Sequence, residues 1–390
     1  MRILVAIDQW FPDRQAGSAR LAAAACGALA ARGHDVTVLA PQNGSSGESR
    51  EGGVVVRRVL ARNLLPQTLT DPIETWRHAR ELPEEGFDVL LAHESTTAVG
   101  LRRRAKRTPL VLMFHASAAR EQRFLRSQLA PGVRKLSTYV LAPPLGRLER
   151  QAVAAAEQIL VLSDFSRSLL LVDHDLDDSR ITTVPGLVDT DRFSPGDGRE
   201  AARSRLGLEV EGPVLLTVRR LEPRMGIDRL LRALPLLGRD DVTLVVAGAG
   251  SLAGELPRLA AELGVAERVL FVGRVADDER LADWYRAADL SVLPTSAYEG
   301  FGMATAEALA SGTPVVGTAI GATPELLAPL DGRLVASSAD PTALASAIGD
   351  ALGFATTKDF GVRCRDYAER RFAAGSAISA WEEALTEVCR

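Results

Sequence analysis

Cysteine, lysine and long apolar runs are all scarce in this chain. Its three cysteines, Cys26, Cys364 and Cys389, lie far apart, which excludes a disulfide framework and a thiolate metal site and fits a reducing compartment. Only Lys106, Lys135 and Lys358 are lysines among 46 basic residues, so the preference for arginine reflects a compositional bias as much as a chemical choice. No apolar stretch approaches the roughly 20 residues needed to cross a bilayer, and Met1–Asp8 is too short to be a secretory signal, so a cytoplasmic protein is expected. There is no internal repeat and no low-complexity tract.

With 46% hydrophobic and 25% charged residues over 390 positions, the chain reads as a soluble globular protein with room for two domains. Its net charge of −4 is uneven. Residues 101–150 hold twelve arginines and lysines against Glu121 and Glu149, about +10, which leaves about −14 for the rest. Such a patch suits an anionic membrane surface, peripherally at its inner face, or an acidic small-molecule partner, or is simply a solvated helix face. Nothing in the pattern points to nucleic acid.

Short buried strands alternate with amphipathic helices throughout, which predicts an α/β fold with parallel sheets. The strands of the first half fall at Ile3–Asp8, Asp35–Leu39, Val54–Val59, Asp88–Ala92, Leu110–Phe114 and Gln158–Leu162. Those of the second half fall at Val214–Val218, Val242–Ala247, Val269–Val272, Leu290–Leu293, Pro314–Gly317 and Gly332–Val335. The polar, Gly/Pro-rich stretch Phe193–Arg199 reads as a linker. It separates a domain over 1–192 from one over 193–371, and a final helix over about 372–390 carries the apolar stripe Ile378, Trp381, Leu385 and Val388. Doubly wound sheets bind ligands at the carboxyl ends of their strands, where strand order reverses, so the site is expected between two such domains.

The most specific chemistry lies in Glu299-Gly-Phe-Gly-Met-Ala-Thr-Ala-Glu307. A glycine-rich turn opens a helix there, and the amides of Gly300, Phe301, Gly302 and Met303 would point outward at its positive end, as in an anion site. Two charge-assisted bonds from such amides contribute very roughly 3–6 kcal/mol before ordering costs. Glu299 stands on the loop beside the anion, while Glu307, further along the helix, is placed to accept from neutral hydroxyls. A phosphate flanked by polyols on both sides is a nucleotide sugar. The plainer alternative makes Glu299 a helix-start charge and Glu307 a solvated residue.

This arrangement resembles the donor site of GT-B glycosyltransferases, and is most similar to family 4, retaining enzymes with a Glu-x7-Glu signature. The resemblance implies two Rossmann-like domains, the first binding acceptor and the second binding donor, facing across a cleft, with the last helix crossing back to the first. It also implies transfer of a sugar from a nucleotide sugar, UDP- or GDP-linked, to an acceptor hydroxyl on a small molecule, glycan or lipid-linked carrier, with no cofactor and no metal. In the stretch Thr217-Val-Arg-Arg-Leu-Glu-Pro-Arg-Met-Gly226, Arg220 takes the place of the family's diphosphate-binding arginine. Met225 stands where the family usually has a lysine, and Arg224 is the neighbouring cation available to replace it; Arg219 is a further donor-side candidate. Arg274 and Val275, after the strand at Val269, resemble the base-binding turn, and Gly248, in Gly-Ala-Gly, a second loop of close approach. In the first domain Ala16, Gly17 and Ser18 correspond to the glycine-rich loop near acceptor and donor. His115 ends a strand at the position of the family's histidine beside the reacting sugar, and His93 ends the neighbouring strand near the acceptor. Ser163 and Asp189 also match family positions, with helix capping and turn formation as their alternative roles.

Under this reading Glu299 holds sugar hydroxyls and His115 holds the sugar or orients the acceptor. Arg220 and Arg224 stabilise the leaving diphosphate, and Glu307 binds ribose. The Asp-x-Asp triplets at 173–177 and 189–191 lie in acidic turns, outside any metal-dependent arrangement the fold would support. A nucleotide-sugar 2-epimerase and a non-catalytic partner subunit are the alternatives on the same fold. A pyridoxal phosphorylase lacks the lysine it needs.

Overall fold

The computed structural model describes residues 1–11, 13, 16–42, 46–60, 67–82, 86–128 and 133–390. It divides into two compact units, Met1–Leu187 with Ala374–Arg390, and Val188–Ala373. In the first unit eight strands form one sheet: β1 (Arg2–Ala6), β2 (Asp35–Gln42), β3 (Gly47–Glu51), β4 (Val54–Leu60), β5 (Val89–Ala92), β6 (Leu110–Met113), β7 (Gln158–Val161) and β8 (Ile181–Thr183). Their order is β3-β4-β2-β1-β5-β6-β7-β8. Every pairing is parallel except that of β3 on β4. The central strands β5 and β6 are buried at every residue, which is why they read as continuous apolar runs instead of alternating ones. The chain leaves β1 toward β2 on one side and returns to β5 on the other, so the order reverses between β1 and β5.

Helix Ala374–Val388 completes this unit from the far end of the sequence. Trp381 is fully buried and its Nε1 donates to the Pro185 carbonyl at 2.8 Å. Glu382 receives Arg32 at 2.7 Å and His34 at 2.8 Å.

The second unit is built on a parallel sheet of six strands: β9 (Val214–Val218), β10 (Thr243–Ala247), β11 (Val269–Gly273), β12 (Leu290–Leu293), β13 (Val315–Thr318) and β14 (Val335–Ala336). The order is β11-β10-β9-β12-β13-β14, with its reversal between β9 and β12.

Two strands lie outside the sequence reading, and two expectations are corrected. Strand β3 has the sequence Gly-Glu-Ser-Arg-Glu, without an apolar residue, and it pairs at the sheet edge where no buried face is required. The three-residue β8 was too short to register as a strand. The last strand was expected at Gly332–Val335, but Gly332–Leu334 is a 3₁₀ turn because the Asp331 side chain accepts from the Arg333 N–H; the strand is Val335–Ala336. The stretch from Phe193 is not a free linker. Phe193 is buried, with its ring edge-to-face on Tyr285 at 5.9 Å, and Arg286 donates to the carbonyls of Arg192 and Ser194 at 2.6 and 2.7 Å.

Candidate functional site

In the second unit the residues that follow β9 and β12 converge beside the strand-order reversal. Tyr298 adopts a φ of 53°, and no other described non-glycine residue has a positive φ. Such backbone geometry costs of order 1–3 kcal/mol and persists only where its surroundings enforce it. Directly after it, the Glu299 carboxylate turns inward and is buried. Its Oε2 accepts from Arg219 Nη2 at 2.6 Å and from Thr295 Oγ1 at 2.9 Å. Burial alone pushes the Glu299 carboxyl up. The charge and hydrogen bond of Arg219, with Arg224 and Thr295 behind them, outweigh that and hold it below its usual value, so the carboxylate is ionised.

The same Arg219 Nη2 lies 2.8 Å from Met225 Sδ. The guanidinium therefore sits at the tip of the side chain that stands in the lysine position. Its Nε and Nη1 have no protein partner among the described residues. Arg224, expected to stand in for that lysine, donates instead to the Tyr298 carbonyl at 3.1 Å, because the 3₁₀ turn Pro223–Met225 directs it at the backbone of the Glu299 loop. Arg220 is exposed.

Helix Met303–Ala310 opens at Gly302, whose φ is 97°, and no side chain caps it. The Thr305 N–H turns back to the Gly302 carbonyl at 2.9 Å, and the N–H groups ahead of it lie at the positive end of the helix. Phe301 contributes only its amide, since its ring is buried edge-to-face on Phe372 at 5.7 Å. Glu307 is buried and accepts from the Tyr285 hydroxyl at 2.9 Å, so it is no solvated helix residue. Gly248 was expected to make room for a ligand. A Cβ there would lie 1.8 Å from the Arg219 carbonyl oxygen, so the room it makes is for the protein's own backbone. Arg274 is exposed and Val275 half-buried, directly after edge strand β11. Sequence reading missed Thr295, Tyr285 and Gly321. At Gly321, with φ 64°, a Cβ would meet the Glu299 carbonyl oxygen at 2.2 Å; an isolated glycine before a helix carries no signal of that contact.

In the first unit, helix Gly17–Ala31 begins after an extended Ala16 and also lacks a side-chain cap, with Gly17 exposed and Ser18 half-buried. His93 and His115 follow the adjacent strands β5 and β6. His93 Nδ1 and His115 Nε2 are 3.2 Å apart. Burial lowers the His115 pKa to about 4 and drives His93 well below its ordinary value, the nearby His115 adding to the effect; both rings are neutral at physiological pH. His93 has no exposed surface, so it backs His115 and does not line a site as expected. Ser163 caps helix Asp164–Asp173, and Asp189 accepts from the Arg192 N–H at 3.1 Å, shaping a turn. Asp173 is ion-paired with Arg120.

Several cations of the basic segment are occupied within the protein. Arg102 and Arg104 donate to carbonyls, and Arg126 lies 3.8 Å over the Tyr139 ring. Arg103, Lys106, Arg107, Arg123, Arg147 and Arg150 are exposed. Among the described residues no helix is long and apolar enough to cross a membrane.

Two family models match this chain, Glycosyltransferase Family 4 over residues 16–192 and Glycosyl transferases group 1 over residues 212–353. A D-inositol 3-phosphate glycosyltransferase of Mycolicibacterium gilvum is 35% identical over 360 residues, 87% of this chain and 78% of the relative. Other curated relatives are matched over 46–64% of their own length, such as a D-inositol 3-phosphate glycosyltransferase 2 of Catenulispora acidiphila, 41% identical over 56% of its residues. Among solved structures, sucrose-phosphate synthase from Thermosynechococcus elongatus superposes with a TM-score of 0.83 at 21% identity, over 99% of this chain and 98% of that one. Anabaena HepE in complex with UDP and glucose gives 0.75 at 18% identity, over 99% of each. At these identities the likeness is one of fold.

Proposed function

This chain belongs to the family 4 glycosyltransferases and has their GT-B fold, and from that premise we propose that it moves a sugar from a nucleotide sugar to an acceptor hydroxyl with retained configuration. The observation that carries the reading is the ionised, buried Glu299, held by Arg219 beside an uncapped helix start at the strand-order reversal of the second unit. The N–H groups of Gly300–Met303 and the guanidinium groups of Arg220 and Arg219 receive the diphosphate. Arg219, not Arg224, supplies the cation that Met225 lacks, because its guanidinium already occupies the tip of the Met225 side chain. Glu299 accepts from sugar hydroxyls and Glu307 from ribose. Val275 and Arg274 lie beside the base. As the glycosidic bond breaks, the leaving phosphate takes the acceptor proton, so the protein's task is electrostatic stabilisation and positioning.

The first unit brings the acceptor, with Ala16, Gly17, Ser18 and His115 at the carboxyl ends of its strands. UDP is the favoured donor nucleotide, since more of the solved structures of the same fold hold UDP or a UDP-sugar than hold ADP. An anionic polyol of the inositol phosphate kind is the favoured acceptor. The names of the relatives support this. The exposed cations of residues 101–150 suit contact with an anionic membrane face.

Calorimetry against UDP, GDP, ADP and dTDP tests the donor site. One nucleotide is expected to stand out and to lose at least tenfold in affinity in Arg220→Ala, a change of about 1.4 kcal/mol. Transfer from the matching sugar nucleotide to inositol phosphate, with the anomeric configuration read by NMR, tests the chemistry. Equal and negligible binding of all four nucleotides would refute the donor assignment.

A further inference from the structure

At the carboxyl ends of β5 and β6 two imidazoles share one hydrogen bond, His93 Nδ1 to His115 Nε2 at 3.2 Å, with ring centroids 5.4 Å apart and planes inclined by 28°, so that the rings meet edge to edge. His93 is locked in place. Its backbone N–H donates to the Ala6 carbonyl at 2.9 Å, and its ring stacks on Trp381 with centroids 6.4 Å apart. Its second nitrogen, Nε2, is buried with no hydrogen-bond partner among the described residues. The second nitrogen of His115, Nδ1, has no protein partner among the described residues and belongs to a half-buried side chain, so it is left for solvent or ligand.

Two neutral imidazoles can share that bond in two ways. If His115 donated from Nε2, the proton of His93 would sit on its own Nε2, a buried N–H with nothing to bond. If His93 donates from Nδ1, the orphan is a bare nitrogen lone pair. Buried N–H groups without partners are rarer in native proteins than under-satisfied acceptors, and burial, which lowers the pKa of both rings, disfavours a charged imidazole at neutral pH.

We propose that His93 is a positioning residue that fixes His115 in its Nδ1–H tautomer, so that His115 offers a reacting sugar or acceptor oxygen a hydrogen-bond donor and not a base. Which ring nitrogen carries the proton is set by the bond the other makes. With Nε2 of His115 occupied by His93, the only outward nitrogen is protonated. That agrees with a reaction in which the leaving phosphate, and no side chain, receives the acceptor proton. The consequence for catalysis rests on the reading of His115 given above; the tautomer does not.

The test uses the full chain labelled with ¹⁵N-histidine, whose five histidines give few signals, with His115 assigned through His115→Gln. Long-range ¹H–¹⁵N correlation should show His115 protonated at Nδ1 and bare at Nε2, with His93 the same. A wild-type His115 protonated at Nε2 would overturn the proposal, and this holds even where variants of His93 fail to fold. His93→Leu should release the ring into a mixture of tautomers and lower kcat about tenfold or more while nucleotide affinity stays constant. His93→Asn, whose amide N–H₂ replaces the Nδ1 donor, should recover most of both effects. An unchanged tautomer and kcat in His93→Leu would refute the positioning role. Full transfer activity in His115→Gln would instead remove the reading of His115, in a measurement independent of the spectrum.

Discussion

Arg219 and Glu299 are buried side chains whose charges depend on each other. Removing one partner of such a pair leaves the other uncompensated and costs about 3–5 kcal/mol, so Arg219→Ala should lower the urea midpoint sharply and abolish nucleotide binding. Met225→Lys on that background returns a cation to the tip of the 225 side chain, where Arg219 Nη2 now lies 2.8 Å from Sδ. Most of the stability and part of the affinity should return; a double variant as unstable as the single one would refute the relocation of the cation. Sequence alone pointed to Arg224 because it adjoins Met225. Eighty positions separate Arg219 from Glu299, and only the parallel order β9–β12 makes them neighbours, so local spacing carries no trace of the pair. The two histidines add a pH effect. His115 has a folded pKa of about 4 against an ordinary 6.5, so between those values the native state binds fewer protons than the unfolded one. Stability should therefore fall as pH drops through that window, with His93 acting in the same direction. Melting temperatures from pH 7.5 to 4.5 should show a shallower decline in His115→Gln than in wild type.

At the scale of elements, the strands that face helices on both sides were legible because burial on two faces demands unbroken apolar runs, as in Val89–Ala92 and Leu110–Met113. The strand-end histidines were legible too, since parallel neighbours end side by side. What stayed hidden was structure held by contacts instead of composition: the polar edge strand β3, the 3₁₀ turn before β14 and the loop joining β12 to helix Met303–Ala310. That loop is fixed by three features from separate segments, the positive φ of Tyr298, the Thr295 bond to Glu299 and the bare Cα of Gly321 against the Glu299 backbone. Gly321→Ala places a Cβ 2.2 Å from the Glu299 oxygen at a φ that disfavours it. A loss of about 1–3 kcal/mol is expected, accompanied by weaker donor binding as Glu299 shifts. Wild-type stability and affinity in this variant would show that the loop has room to spare.

At the scale of the molecule, the two units are not consecutive pieces of chain. The first is closed by Ala374–Arg390, and Trp381 fills its core completely. Trp381→Ala should cost about 3–5 kcal/mol and, because Trp381 stacks on His93, should also broaden the His115 resonances. Loss of stability with an unaltered His115 spectrum would separate the packing role from any influence on the imidazole pair. The closing helix also sets an order of events on the ribosome. Residues 1–187 emerge first but lack the helix that seals them, and all of residues 188–373 must be translated before it arrives. At about 5–20 residues per second that delay is roughly 10–40 s, during which the nascent first unit carries an open apolar seam. The unit that begins the chain is therefore the last to finish folding, and it is the one a chaperone would hold.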